Sequence, residues 1–384
     1  MKEEYYFVSS GISPPWNEGH KVLAKNYINL LTRMYGSSFK VISVPTTTEL
    51  LPKNFNFQYL RTISRSLHST LKLCGEVISN VKEKHSIIHL MNINYSVAVP
   101  MIKVFRRCKI IVHIPQIETD YLSRWLLSSN LKITRFYSTF ADTILSTSPI
   151  IKNRLSMLGV TSIHLPPPID TDFFKPINKK LAFKMFRDLP LNESEITFSY
   201  LGNLTPSRFP PHVLIALRKL LVKHKIKFTL LLFAPKFQIN YRYYNKLTGL
   251  IERLNLTKHV FLSINNLNEK EKLAFYNISD VFLFPALTPQ AIDPPLTVLE
   301  AMSCGRIVLA TPVQSLPYEI NHMVNGILAN PRSLSQYYLI LLRLCKDVES
   351  YKQIGMNARK SVLKTHSFSI VSQKIRKLHQ ILLE

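Results

Sequence analysis

The chain has 384 residues, 46% of them apolar, which exceeds one ordinary compact core and predicts two domains. Apolar runs such as 226–234 and 281–287 stop well short of the roughly 18 to 20 residues needed to cross a bilayer, which excludes a spanning helix by pattern. Against 24 acidic residues stand 49 basic ones, a formal charge of +25. The excess is +10 over residues 1–170 (20 − 10) and +15 over the rest (29 − 14), so it is not confined to a tail. Such a field favours anionic partners of any kind: nucleic acid, anionic lipid or phosphorylated small molecules.

The N-terminal stretch MKEEYYFVSS carries acids and lacks the basic-then-apolar form of a signal peptide, so a cytoplasmic protein is expected. The strand candidate YYFVSS (5–10) is followed by a helical pattern from Val22 to Tyr35. Short β-branched runs then recur as FKVISVP, SIIHLM, KIIVHIP and TILSTS, separated by segments of helix length. Continuous apolar strands between amphipathic helices predict a parallel sheet covered on both faces. At residues 166–177 the chain changes character to PPPIDTDFFKPI. Three successive prolines join neither a helix nor a central strand, so a stiff linker is expected.

Alternation restarts with ITFSYLG, a helix over 212–224, IKFTLLLFAP, a helix over 241–254, HVFLSI and DVFLFPA. The expected fold class is α/β, with two Rossmann-like, doubly wound parallel-sheet domains facing across a cleft. The expected boundaries are 1–168 for the first domain and 169–364 for the second. A final helix over 365–384, opening at Phe368, is expected to pack back on the first domain. Cys74, Cys108, Cys304 and Cys345 form no CxxC pair and read as reduced, packed thiols.

Ligands of open parallel sheets bind beyond the carboxyl ends of the strands, which picks the loops to inspect. One of them is DPPLTVLEAMSCGRIVLAT (293–311). Asp293 before two prolines predicts an N-cap, Leu296–Ser303 predicts two helical turns, and Gly305 a stop before a strand. The N–H groups of Leu296 and Thr297 then favour an anion. Glu300 lies among apolar neighbours, where an unpartnered carboxylate is costly. Either it turns to the surface or a ligand's hydroxyls supply its partners.

This stretch resembles the signature of retaining nucleotide-sugar glycosyltransferases of the GT-B fold, glycosyltransferase family 4. Further matches lie in order: SPPWNEGHKVLAKNYINLL (13–31), PPPIDTDFF (166–174), SYLGNLTPSRFPPHVLIAL (199–217) and YEINHMVNGILA (318–329). The resemblance implies transfer of a sugar from a UDP- or GDP-sugar to an acceptor, such as a lipid-linked glycan or polysaccharide precursor. It implies no cofactor and no essential metal. By position, Glu300 matches the ribose-binding glutamate and Arg208 the cation that neutralises the diphosphate. Gly202 and Gly19 match glycines that let the donor approach the backbone, and His113 matches the active-site histidine near the sugar. Asn203, Asp293, Leu296 and Thr297 complete the expected donor contacts.

The chain departs from the pattern in three ways. The first glutamate of the signature falls at Ile292, with Asp293 one place off. Asn203 stands where the family often has arginine. Pro294 and Pro295 remove two N–H donors from the loop. These departures keep open a catalytically weak or inactive relative. Asp170 and Asp172 spell DxD, but two carboxylates in a linker are poor support for a cation site. Residues 121–140 place Arg124, Lys132 and Arg135 among Trp125, Leu127, Phe136 and Phe140, after Lys103, Arg106, Arg107 and Lys109. That mix fits either a packed amphipathic helix or peripheral contact with an anionic inner membrane face. A basic nucleic-acid-binding protein is the rival class, and the chain shows no zinc-finger spacing, RRM-type motif or concentrated basic arm.

Overall fold

A computed structural model describes residues 4–9, 12, 18–43, 57–59, 67–81, 86–91, 95–115, 135–186, 189, 192, 195–236, 239–289 and 292–384. Residues 13–17 of the first loop and 121–134 of the basic–aromatic stretch lie outside them. The chain divides into two compact units: Met1–Pro168 with Ala291–Asp293 and His366–Glu384, and Ile169–Gln290 with Pro294–Thr365.

The first unit holds β1 (Tyr5–Ser9), β2 (Phe39–Ser43), β3 (Phe57–Tyr59), β4 (Ile87–Met91), β5 (Lys109–Ile114), β6 (Thr143–Ser146) and β7 (Ile163–His164). All pair in parallel, in the order β3-β2-β1-β4-β5-β6-β7. Every residue of β1 and β4 is buried, as unbroken apolar strands covered on both faces must be. The crossovers include the helices Gly19–Tyr35, Leu67–Asn80, Tyr95–Phe105 and Pro149–Met157. Ser148 caps the last of these through Ile151 N–H, with proline at its first position.

The final helix, Phe368–Leu383, belongs to this unit; its Ser367 hydroxyl caps Ile370 N–H. Arg33 lies 4.9 Å from the centre of the Phe368 ring. The Tyr35 hydroxyl meets His379 Nδ1 at 2.6 Å. The triple proline cannot donate hydrogen bonds, but its carbonyls still need donors. Asn26 Nδ2 gives one to Pro168 O (2.9 Å) and Tyr27 gives one to Pro166 O (3.4 Å), while His366 Nδ1 lies 3.0 Å from Pro167 O.

The second unit holds β8 (Ile196–Leu201), β9 (Phe228–Ala234), β10 (Val260–Ile264), β11 (Val281–Phe284), β12 (Ile307–Ala310) and β13 (Ile327–Leu328), parallel in the order β10-β9-β8-β11-β12-β13. Its helices include His212–His224, Tyr241–Arg253, Glu269–Ile278, Leu296–Ser303, Leu334–Lys346 and Lys352–Thr365. One core runs from Phe198 and Leu230 to Leu283, Leu309 and Tyr337. In each sheet the chain winds outward from a central pair, β1 with β4 and β8 with β11. These are the topological switch points where such sheets bind ligands.

One expectation needs correction. Asp293 is not the N-cap of the helix Leu296–Ser303; Pro295 is, in extended backbone (φ −62, ψ 121) and with no side-chain cap. Two consecutive prolines hold the backbone extended there, so the helix starts two residues beyond the place a capping aspartate needs. The DxD pair is a turn device at Asp170, whose Oδ1 accepts Phe173 N–H at 3.2 Å.

Helix Lys352–Thr365 lies against the turn after Leu296–Ser303 through two glycines. Gly305 has φ +69, and a Cβ on Gly355 would overlap the Gly305 carbonyl oxygen. Gly355→Ala is expected to cost about 1 to 3 kcal/mol through backbone displacement. Chemical denaturation checks it, with Lys352→Ala on the exposed side expected to change stability by less than about 0.5 kcal/mol.

Candidate active site

Strand β8 ends at Leu201, and Gly202 N–H then donates to Phe233 O at 3.0 Å. A Cβ on Gly202 would come within 2.9 Å of the Tyr200 hydroxyl, so only glycine lets the chain turn here without moving that buried ring. The same hydroxyl donates to Asn203 O at 2.8 Å and fastens the turn. The next turn holds Arg208: its N–H reaches Thr205 O (3.1 Å) and Thr205 Oγ1 (3.2 Å). Phe209 behind it is fully buried, and its carbonyl accepts the Tyr243 hydroxyl at 2.5 Å.

The Arg208 backbone is thus pinned on both sides. Its half-buried guanidinium makes no hydrogen bond or ion pair among the described residues. Leu287 N–H donates to Ser207 O at 2.6 Å, joining this loop to the one that leaves β11. That second loop leads into Leu296–Ser303. The first-turn N–H groups of Leu296 and Thr297 find no acceptor among the described residues, because Pro295 caps nothing and its carbonyl takes Val298 N–H (3.1 Å) and Leu299 N–H (3.4 Å). A fixed cation and an uncapped helix start therefore sit at the carboxyl ends of β8 and β11, one on each side of the switch point. Both features suit an anion.

Glu300 lies four residues into that helix and is 1% exposed. It is neither turned to solvent nor bare. Its Oε2 accepts the Tyr276 hydroxyl at 2.6 Å, and its Oε1 is 3.4 Å from Lys272 Nζ. Lys272 also meets Glu269 Oε1 at 3.1 Å and lies 5.2 Å from the centre of the Phe174 ring. Burial holds the Glu300 carboxyl above its ordinary value, against the pull of Lys272 and the Tyr276 hydrogen bond. Burial alone would lower Lys272, but Glu300 and Glu269 more than offset it. Lys272 and Tyr276 were missed by sequence reasoning. Their only signal was an i, i+4 spacing on an amphipathic helix, which does not say what the helix faces.

In the first unit, a Cβ on Gly19 would come within 2.9 Å of Ile292 Cγ1. The isoleucine that stands in for the signature's first glutamate thus packs directly on the glycine matched to the phosphate loop. The Asp293 carboxylate accepts the Ser148 hydroxyl (2.5 Å), and its carbonyl accepts the Thr147 hydroxyl (2.6 Å). Those bonds tie Asp293 to the start of helix Pro149–Met157.

His113, on β5, has no exposed surface. Its Nδ1 lies 2.9 Å from His89 Nε2, and its ring meets Tyr27 edge-on with centroids 4.8 Å apart. As placed, the ring belongs to the sheet's interior. In the second unit, Gly202, Asn203 and Arg208 follow β8, and Leu296, Thr297 and Glu300 lie on the helix that follows β11.

Residues 182–361 match the family described as glycosyl transferases group 1. That segment is a group 1 glycosyltransferase domain. The chain is 24% identical over 282 residues to N-acetyl-alpha-D-glucosaminyl L-malate synthase of Bacillus anthracis, spanning 68% of this chain and 71% of that one. It is 26% identical over 219 residues to an uncharacterized glycosyltransferase of Methanocaldococcus jannaschii, spanning 56% and 52%. Among solved structures, HepE of Anabaena in complex with UDP matches with a TM-score of 0.78 at 17% identity, over 99% of this chain and 100% of that one. Sucrose-phosphate synthase of Thermosynechococcus elongatus matches with a TM-score of 0.75 at 15% identity, over 99% of both. The fold of the chain is GT-B.

The buried histidines make the first unit acid-sensitive. Burial lowers His113 to about 3 and His379 to about 4. Burial, with His113 and His379 nearby, lowers His89 well below its usual value. An unfolded chain protonates these rings near pH 6.5, before the folded one does. Stability is therefore present above that pH and lost as pH falls towards the folded values, by about 1.4 kcal/mol per pH unit per ring. His113→Asn is expected to reduce the slope of unfolding free energy against pH by about one proton between pH 6 and 4. An unchanged slope would mean that His113 is protonated in the folded state.

Proposed function

We propose that this glycosyltransferase moves a sugar from a nucleotide-diphospho-sugar, UDP- or GDP-linked, to an acceptor hydroxyl with retention of anomeric configuration. The reading is carried by one observation: at the β8/β11 switch point, two loops joined by Leu287 N–H to Ser207 O carry an Arg208 guanidinium with no partner among the described residues and an uncapped helix start. Breaking the bond between sugar and diphosphate puts growing negative charge on the leaving phosphate. Arg208 and the N–H groups of Leu296 and Thr297 are preorganised donors for that charge, and such groups act most strongly where charge develops in the transition state.

Gly202, having no Cβ, lets the phosphates approach the main chain. The two lone-pair sites of Glu300 not used by Lys272 and Tyr276 accept the ribose hydroxyls. With the diphosphate charge met by these groups, the proposed reaction has no step that needs a metal ion. Retention follows the family resemblance, and HepE, solved with UDP, supports a nucleotide-diphosphate donor. His113 has no part in this reading.

A second reading is favoured by Ile292 packed on Gly19 and by Asp293 bound to Ser148. With no carboxylate at the first signature position, the chain would bind donor and turn it over slowly. The two readings separate in one experiment. Sugar nucleotides at 100 times Kd are expected to stabilise the wild type by about 2.7 kcal/mol in a thermal-shift screen. Arg208→Ala should lose most of that shift and release nucleoside diphosphate at least about 100-fold more slowly. Stabilisation without release supports the second reading; near-normal release by Arg208→Ala removes it from the mechanism.

We propose a lipid-linked glycan as acceptor, reached from an anionic membrane face. Exposed Val104 and Phe105 lie beside exposed Arg107, and exposed Phe136 beside exposed Arg135, a mix of apolar and basic groups suited to that surface. No helix among the described residues is long and apolar enough to cross a membrane. Vesicles rich in phosphatidylglycerol should sediment the protein at low salt, and Phe105→Ser with Arg107→Ser should weaken this. Equal sedimentation with neutral vesicles would remove the proposal.

A further inference from the structure

The Glu300 carboxylate is the most deeply buried acid of the proposed donor site, and the chain surrounds it with a specific set of groups. Helix Glu269–Ile278 presents Lys272 and Tyr276 one turn apart, so that an ammonium and a hydroxyl reach the two carboxylate oxygens. Glu269, in the first turn of the same helix, draws Lys272 from its other side. Cys304, at the end of Glu300's own helix, is a buried thiol that burial pushes up to about 12, so it stays neutral. From helix Lys352–Thr365, Arg359 spends its guanidinium on the Ser303 carbonyl (2.5 Å), the Phe174 carbonyl (3.2 Å) and the Thr171 carbonyl (3.4 Å). Among the described residues, Lys272, itself 7% exposed, is thus the cation that pairs with Glu300.

We propose that Lys272 is a positioning residue for donor binding: it holds Glu300 as a fixed carboxylate whose free lone pairs accept both hydroxyls of a vicinal diol. The inference rests on the proposed role of Glu300 towards the ribose. An ionised carboxylate offers about four acceptor sites, and Lys272 and Tyr276 occupy two. A protonated one would turn one oxygen into a donor and lose half of its match to a diol. In a site this dry, removing the ammonium leaves the carboxylate uncompensated, and it neutralises by taking a proton. Tyr276 cannot replace the ammonium, because a neutral hydroxyl supplies one hydrogen bond and no charge. The Phe174 ring below Lys272 and Glu269 beside it keep the ammonium in place rather than competing for Glu300 through solvent.

The test is the pH dependence of nucleoside diphosphate affinity, read by calorimetry with UDP or GDP, whichever binds the wild type more tightly. The quantity to follow is the ratio of the Kd of Lys272→Met to that of the wild type, which cancels the ligand's own ionisation. As pH falls from about 9 to 6, the ratio is expected to rise by about tenfold per unit below the variant's inflection. Lys272→Arg should restore a ratio near one, and Lys272→Met with Glu300→Gln should lose the pH dependence. Circular dichroism and thermal unfolding at each pH confirm that the variants are folded. A ratio that is raised but independent of pH would assign Lys272 a packing role and overturn the proposal. Failure of the wild type to bind either nucleotide at any pH would overturn the donor reading itself, and the proposal with it.

Discussion

Everything proposed for this protein depends on the point in the second sheet where β8 and β11 lie side by side and the chain winds away from them in opposite directions. Parallel strands deliver their crossovers to the carboxyl edge, so the two loops released there meet. The bond from Leu287 N–H to Ser207 O is the visible join. Once joined, one loop supplies a guanidinium with no partner among the described residues, and the other supplies a helix start with no side-chain cap. An enzyme that must accept a diphosphate needs such unfulfilled groups, held still before the ligand arrives. The fold supplies the stillness: Phe209 is fully buried behind Arg208, and Tyr200 and Tyr243 fasten the turns on either side.

The charged interior follows the opposite logic. Where the proposed site needs acceptors, the chain buries a carboxylate and holds it with Lys272 and Tyr276. Where it needs donors, it leaves them open. The first unit shows a third pattern, with His89 and His113 buried as neutral rings that share one short contact. They shape the sheet interior and make it acid-sensitive.

Much of the architecture was legible in the sequence because unbroken apolar strands and amphipathic helices leave distinct periods. The runs at 5–10, 39–45, 196–202 and 280–286 became strands with ends shifted by one or two residues. The short edge strands β3, β7 and β13 were not foreseen, since two or three residues carry no period to read. Glu300 was recognisable as a charge out of place, but whether solvent, ligand or protein would answer it was not. Its partners lie 24 and 28 residues back on another helix. Asp293 misled for a local reason: its spacing to the prolines fits a cap, but the extended Pro294–Pro295 segment carries it away to Ser148. Ile292 was seen as a missing carboxylate, and only the packing showed that it fills the space over Gly19.

Hydrogen exchange read by mass spectrometry, with and without the sugar nucleotide that binds most tightly, tests the central claim most directly. The account predicts new protection concentrated in peptides covering 202–209 and 296–300, where free N–H groups and a lone guanidinium await the diphosphate. Binding that leaves both segments exchanging at their unliganded rates would contradict it.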